Sequence, residues 1–305
     1  MSKTKAKEVS KHYSDNFWNS CPDIYRDIVN KDKDRNYVVD SEQINRVFRA
    51  VLTFDYLRSE LSLGSKILDI GCGLGFNSCY LSKLGYDVKG FDASETGIQR
   101  SKELATSLEL DPEMFTCMDH RYLKNVQPES IDAVIGMGFI YYLDENARDQ
   151  TYKEVSRVLT RNGIFALTLT NMFFDAFSLN NTSLTFWSSV INDFSPVQEL
   201  LDKDVEGILG GHIKTPIREI AKNSTSNKFG IHTDNPLLYQ KFVDKYNFSV
   251  DEILYPDSNV LPPFLEKNVD SEEIDKIKAE YCVQNSRNWA GMFMDYEFLA
   301  FLRKR

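Results

Sequence analysis

The sequence predicts an α/β protein built on a doubly wound, Rossmann-like sheet. Three observations lead to this prediction: apolar strand-like segments alternate with helix-like segments over residues 66–171, five such strands follow one another, and a loop with three glycines follows the first strand. Strands that alternate with helices form a parallel sheet covered on both faces. With 305 residues, 42% of them hydrophobic, the chain is long enough to bury such a core.

The elements of this core follow in a regular order. KILDI (66–70) is the first predicted strand, and a helix that Gly85 closes comes next. DVKGFD (87–92) is the second strand, and Ser94 is the predicted N-cap of the helix after it. The remaining predicted elements are a strand at MFTCMD (114–119), a strand at IDAVIGMG (131–138), a helix at 146–160 and a strand at GIFALTLTN (163–171).

We divide the chain into four segments. Residues 1–60 are a predicted helical N-terminal segment and lid, with a helix that starts after Asp40, and residues 61–171 are the core. Residues 172–240 have irregular periodicity and many aromatic, Asn, Ser and Thr residues, and residues 241–305 return to sheet-like sequence. Because long insertions near strand ends often carry binding residues, we expect residues 172–240 to cover a substrate.

Charge and cysteine content narrow the function classes. The net charge of −9 disfavours a nucleic-acid surface and favours a small molecule, a sugar or a protein as substrate. The five cysteines include no CxxC pair, so we expect reduced thiols and no bound metal. Because no long apolar run or signal-peptide pattern is found, we expect a cytoplasmic protein without membrane contact. The sequence leaves homodimerisation open.

The loop after the first strand has three glycines at every second position. A dinucleotide fingerprint needs its third glycine where Phe76 stands, and no Gly-Lys-Ser/Thr follows to make a phosphate loop. The loop carries no basic residue, and Asp69 precedes it, which disfavours a phosphate because like charges repel. Asp92, at the end of the second strand, can accept hydrogen bonds from ribose hydroxyls. The pattern favours a nucleoside with a cationic tail.

With these motifs the chain resembles the class I S-adenosylmethionine-dependent methyltransferases. The resemblance rests on DIGCGLG (69–75), FDAS (91–94), MDH (118–120) and VSRVLTRNGIFALTL (155–169). It implies a seven-stranded sheet whose last strand is antiparallel, and S-adenosyl-L-methionine as cofactor. The cofactor-binding residues that it implies are Asp69, Gly71, Gly73, Gly75, Asp92, Ala93, Ser94, Asp119, His120 and Met137, with Tyr13 in a lid over the cofactor.

The resemblance does not identify a general base. Many members of the family have a histidine or an acid just beyond the fourth strand, where this chain has Tyr142. Tyr142 and Tyr141 are therefore our first candidates for the catalytic site, and His232 is a second candidate for a base.

The predicted function is methylation of oxygen or nitrogen on a small molecule such as a sugar, a glycan precursor or a secondary metabolite. Two alternatives remain at this stage: a protein or RNA methyltransferase, and a non-catalytic S-adenosylmethionine-binding regulatory protein.

Overall fold

The computed structural model describes residues 41–177, 232–256 and 286–305, and one mixed sheet organises them. The main path of the sheet has the order β3-β2-β1-β4-β5-β8-β7, and the short β6 pairs with the end of β5. The strands in these ranges are β1 (Lys66–Ile70), β2 (Asp87–Asp92), β3 (Phe115–Cys117), β4 (Ile131–Gly136), β5 (Leu159–Asn171), β6 (Thr233–Asp234), β7 (Phe248–Leu254) and β8 (Glu297–Lys304).

Strand direction agrees with the predicted fold. Strands β1 to β5 run parallel, and β8 is antiparallel to both of its neighbours, β5 and β7. The Rossmann-like fold with an antiparallel last strand is confirmed. The two-residue β6 is an addition to the predicted seven strands, and it pairs parallel to Thr170 and Asn171.

Seven α-helices occur in the described ranges. Short 3-10 turns lie at Pro112–Met114, His120–Asn125, Ile140–Tyr142 and Asp244–Tyr246. The α-helices are α1 (Ser41–Glu60), α2 (Phe76–Lys83), α3 (Glu95–Ser107), α4 (Glu145–Val158), α5 (Met172–Phe177), α6 (Tyr239–Val243) and α7 (Gly291–Met294).

The sheet buries apolar side chains on both faces. Alternate residues of a strand point to opposite faces, and β8 shows this clearly: Phe298 belongs to the cluster that includes α4 and α6, whereas Leu299 belongs to the cluster that includes α1, α2 and α3. Burial on both faces explains why the strand sequences read as nearly continuous apolar runs.

Local sequence signals set several boundaries. Strands β1 and β2 have the predicted bounds, and the Ser94 hydroxyl accepts a hydrogen bond from the Gly97 N–H at 3.0 Å, as expected for an N-cap. The predicted strand at 163–171 instead begins at Leu159, where the backbone is already extended.

The N-terminal helix lies against the sheet. The ring of Tyr56 in α1 stacks on Phe301 of β8 at a centroid distance of 3.9 Å, and Arg303 Nη2 is 2.9 Å from Glu60 Oε2. In the described ranges, no helix has both the length and the apolar character that a membrane crossing requires. Residues 1–40 and most of the predicted cap, 178–231, lie outside the described residues.

Candidate active site

The glycine loop between β1 and α2 requires its glycines for steric reasons. Gly71, Gly73 and Gly75 have φ values of +73°, +54° and +77°, a region that side-chain-bearing residues rarely adopt. A Cβ built on Gly71 would lie 2.7 Å from Cβ of Phe139, and one on Gly75 would lie 2.5 Å from Cζ of Phe115. The loop backbone is therefore packed closely against β3 and against the segment that follows β4.

Asp92 joins this loop to the N-terminus of α3. Its Oδ2 accepts a hydrogen bond from the Gly73 N–H at 3.0 Å, and its Oδ1 accepts one from the Ser94 N–H at 2.8 Å. Burial raises the pKa of the Asp92 carboxyl, and the bonds from the backbone N–H groups oppose that rise. An ionised carboxylate has about four lone-pair sites, so both oxygens can accept further bonds from a ligand.

Asp69, in β1, is buried and hydrogen-bonded to the helix that follows the loop. Its side chain is only 1% exposed, and its Oδ2 accepts a hydrogen bond from the Ser78 hydroxyl in α2 at 2.6 Å. Burial raises the pKa of Asp69 to about 7. The sequence suggested that this acid suits a cationic ligand; the structure instead places it inside the protein, where it connects β1 to α2.

The candidate catalytic residues meet at the carboxyl ends of β4 and β5. Tyr141 and Tyr142 lie in the 3-10 turn after β4, with ring centroids 4.6 Å apart; Tyr141 is buried and Tyr142 half-buried. The His232 N–H donates to the Tyr141 carbonyl at 3.0 Å, and the Thr170 hydroxyl donates to the His232 carbonyl. Residues that are far apart in the sequence thus form one cluster.

The other predicted site residues have varied surroundings. Ala93 is exposed and follows Asp92, while Asp119 is half-buried in the segment after β3. Met137 Sδ lies 3.7 Å from the Thr53 hydroxyl and 3.6 Å from the Thr168 hydroxyl, between α1 and β5. The side chain of His120 and the whole of Tyr13 lie outside the described residues.

Comparison with known proteins identifies this arrangement. Residues 68–167 match the family model of a methyltransferase domain, which takes in the glycine loop, Asp92 and the strands through β5. This match supports the resemblance to the class I S-adenosylmethionine-dependent methyltransferases. The cofactor predicted from the sequence, S-adenosyl-L-methionine, is the cofactor of that family.

Individual relatives resemble parts of the chain. Methyltransferase GfsG of Streptomyces halstedii is 30% identical over 114 residues, 37% of this chain and 40% of that protein. The tRNA (uracil(54)-C(5))-methyltransferase of Pyrococcus abyssi is 36% identical over 77 residues, 25% of this chain and 18% of that protein. The chain therefore spans less than half of the length of these two relatives.

A solved methyltransferase structure is similar in fold to this chain. Magnesium protoporphyrin IX methyltransferase from Synechocystis PCC 6803, determined with bound SAH, aligns with a TM-score of 0.50 and 12% identity. The alignment covers 99% of this chain and 100% of that one.

The donors and acceptors of the methyltransferase domain fit its cofactor. S-adenosylmethionine carries ribose hydroxyls and positive charge but no phosphate. The Asp92 carboxylate at the end of β2 lies beside the loop, and the loop itself has no Lys or Arg side chain. Asn77, directly after the loop, has a buried side-chain oxygen with no hydrogen-bond partner in the protein. In the described ranges, no cluster of His, Cys, Asp or Glu is suited to a metal ion.

Sequence reasoning missed several residues that build the methyltransferase site. Ser78 bonds Asp69, Asn77 has the unpaired oxygen, and Phe139 contacts the glycine loop; none of them was predicted. The sequence shows that these three residues lie in or just after a motif. It does not show their contacts, because those depend on how strands and helices pack. Arg148 and Asp234, which hold β6 against α4, are long-range partners that periodicity does not reveal.

Proposed function

We propose that this protein is an S-adenosylmethionine-dependent methyltransferase that methylates an oxygen or a nitrogen of a small molecule. The observation that carries the proposal is the contact between two parts of one site. The glycine loop touches Phe139 at Gly71, and Phe139 begins the turn that carries Tyr141 and Tyr142. A cofactor seated on the loop and an acceptor seated on the tyrosines would therefore be neighbours.

Methyl transfer from a sulfonium needs few catalytic groups from the protein. When bound, S-adenosylmethionine supplies a methyl group on a positively charged sulfur that leaves as a neutral thioether. Much of the rate can then come from holding the acceptor in line with that group. We assign Tyr141 and Tyr142 to orienting the acceptor, because aromatic faces and hydroxyls can contact both the acceptor and a cation.

A base is needed only where the acceptor must lose a proton. Tyr142 and His232 are the candidates, because both lie at the same edge of the sheet and neither is fully buried. In this proposal one of them takes the proton that an acceptor O–H or N–H loses during transfer.

The net charge disfavours a polyanionic acceptor, and among the remaining acceptor classes we propose a small molecule. The chain has 45 acidic and 36 basic residues, and a polyanion such as RNA would be repelled by the excess of acids. Sugars, glycan precursors and other secondary metabolites are the acceptors to test first. An RNA or a protein acceptor, the alternative that a tRNA methyltransferase among the relatives illustrates, is an outcome of the same test.

The first experiment tests the cofactor site by calorimetric titration with S-adenosylhomocysteine. Removing a charge-assisted hydrogen bond typically costs about 1.5 to 3 kcal/mol, so we expect Asp92→Ala to weaken binding roughly tenfold to a hundredfold. Asp87→Ala is the control, because Asp87 is exposed at the opposite end of the same strand. Equal affinities of the two variants would contradict the assignment of Asp92.

The second experiment identifies the acceptor. The protein is incubated with methyl-labelled S-adenosylmethionine and either a panel of activated sugars and metabolites or a cell extract, with and without its macromolecules. Label in a small molecule supports the proposal, whereas label only in protein or RNA replaces it with the macromolecular alternative. Cofactor binding without formation of S-adenosylhomocysteine on any acceptor would favour a non-catalytic regulatory role.

A further inference from the structure

A buried ion pair lies next to the acceptor side of the site. Arg148 in α4 and Asp234 in β6 are 8% and 7% exposed, and Arg148 Nη2 donates to Asp234 Oδ1 at 2.5 Å. The guanidinium carbon lies 4.7 Å from the centroid of the Phe242 ring, and the hydroxyls of Tyr152 and Tyr239 are hydrogen-bonded nearby. The pair is enclosed by aromatic side chains.

The geometry of the pair is not explained by stability alone. Arg148 Nε and Asp234 Oδ2 are both buried without a hydrogen-bond partner. A buried ion pair is weak support for stability, because desolvation offsets the attraction, and unpaired buried polar atoms add to that cost. Well-packed apolar side chains at the two positions would avoid both penalties. Stability therefore does not explain why these two residues are charged, and we look for an explanation in their position in the fold.

Its position in the chain suggests that role. Asp234 ends β6, which has only two residues and pairs with Thr170 and Asn171 at the tip of β5. Few backbone hydrogen bonds hold so short a strand, and a parallel pair can shift along its partner. His232 directly precedes β6, and its N–H bonds the carbonyl of Tyr141. A displacement of β6 would thus move His232 relative to the tyrosines.

We propose that Arg148 and Asp234 are positioning residues, which fix β6 along the end of β5 and so hold His232 beside Tyr141. Only the catalytic consequence of this inference rests on the proposed function. The structural consequence, a fixed β6, can be measured in the absence of any substrate.

The test replaces both charges with apolar groups of similar volume, in Arg148→Met/Asp234→Leu. Hydrogen–deuterium exchange of the full chain is measured at the backbone amides of residues 232–235 and, for reference, of β1 and β4. We expect exchange at 232–235 to become at least tenfold faster, with unchanged exchange in the reference strands. Lys153→Met is the control, since it removes an exposed ion pair on the same helix, and we expect no change from it.

Kinetics give the second readout once an acceptor is known. A positioning role predicts that the double variant lowers kcat while its affinity for S-adenosylhomocysteine stays within twofold of wild type. Unchanged exchange at 232–235, or equal acceleration throughout the core, would overturn the inference, because the pair would then have no local or only a general structural role. If the double variant does not fold, Asp234→Asn is subjected to the same exchange measurement and the same criteria.

The two proposals fail in different ways. A wild-type protein that methylates no acceptor contradicts the proposed function but leaves the exchange result as it stands. A variant with unaltered exchange contradicts the positioning role but leaves the methyltransferase assignment intact.

Discussion

Gly71→Ala tests whether the cofactor loop and the acceptor loop share one packed contact. Gly71 has a φ of +73°, and an added Cβ would lie 2.7 Å from Phe139 Cβ and 2.9 Å from Phe139 Cγ. Phe139 cannot avoid this overlap by a rotamer change, because its Cβ is fixed by the backbone. The substitution must therefore displace the backbone of the loop, of Phe139, or of both.

The expected cost has two parts. A left-handed conformation costs a residue with a side chain roughly 1 to 2 kcal/mol, and inserting a methyl group into a packed site costs roughly 1 to 3 kcal/mol. Together these terms predict that the free energy of unfolding falls by about 2 to 5 kcal/mol. Gly64→Ala is a matched control, because Gly64 has a φ of +81° and nothing within 4 Å of its added Cβ. It should incur only the first term.

Denaturant unfolding of the wild type and the two variants gives the comparison directly. The difference between the variants isolates the contact with Phe139, since both incur the same backbone cost. We also expect Gly71→Ala, but not Gly64→Ala, to weaken binding of S-adenosylhomocysteine. If Gly71→Ala destabilises the protein no more than Gly64→Ala does, the two loops are not in contact as described.

Three further predictions concern individual side chains. Because burial raises the pKa of Asp69 to about 7, the folded state binds its proton more tightly than the unfolded state. The unfolding free energy of wild type relative to Asp69→Asn should thus fall by up to about 1.4 kcal/mol per pH unit between about pH 4 and pH 7, measured by denaturant unfolding. Ser94→Ala should lower the unfolding free energy by about 1 kcal/mol through loss of the cap, whereas Ser94→Thr should retain most of it. Tyr142→Phe should reduce turnover with unchanged cofactor affinity; unaltered steady-state kinetics would assign Tyr142 to packing.

The sequence was informative where the decisive interactions are local. Alternation of apolar strands with helices predicted the parallel sheet, and Ser94 marked a helix start because its cap bond spans three residues. Glycine spacing predicted a ligand-binding loop after the first strand, and the positive φ values of Gly71 and Gly75 agree with the need for glycine there. These features follow from the spacing of apolar residues, cap residues and glycines, which can be read from a single sequence.

Features that depend on the packing of distant segments could not be predicted from the sequence. His232 lies at the far end of a long insertion, and only the pairing of β6 with β5 brings it to Tyr141. The Arg148–Asp234 pair joins a helix to a strand of two residues, which is too short to produce a pattern. Asp69 appeared to face a ligand because a sequence gives its distance from the glycines but not its burial.

The most direct test of the central claim is a calorimetric titration of the full chain with S-adenosylmethionine and, side by side, with NAD⁺. The glycine spacing, the acid at Asp92 and the absence of Lys and Arg from residues 71–75 predict saturable binding of S-adenosylmethionine at one site and no binding of NAD⁺. Binding of NAD⁺ without binding of S-adenosylmethionine would contradict the account.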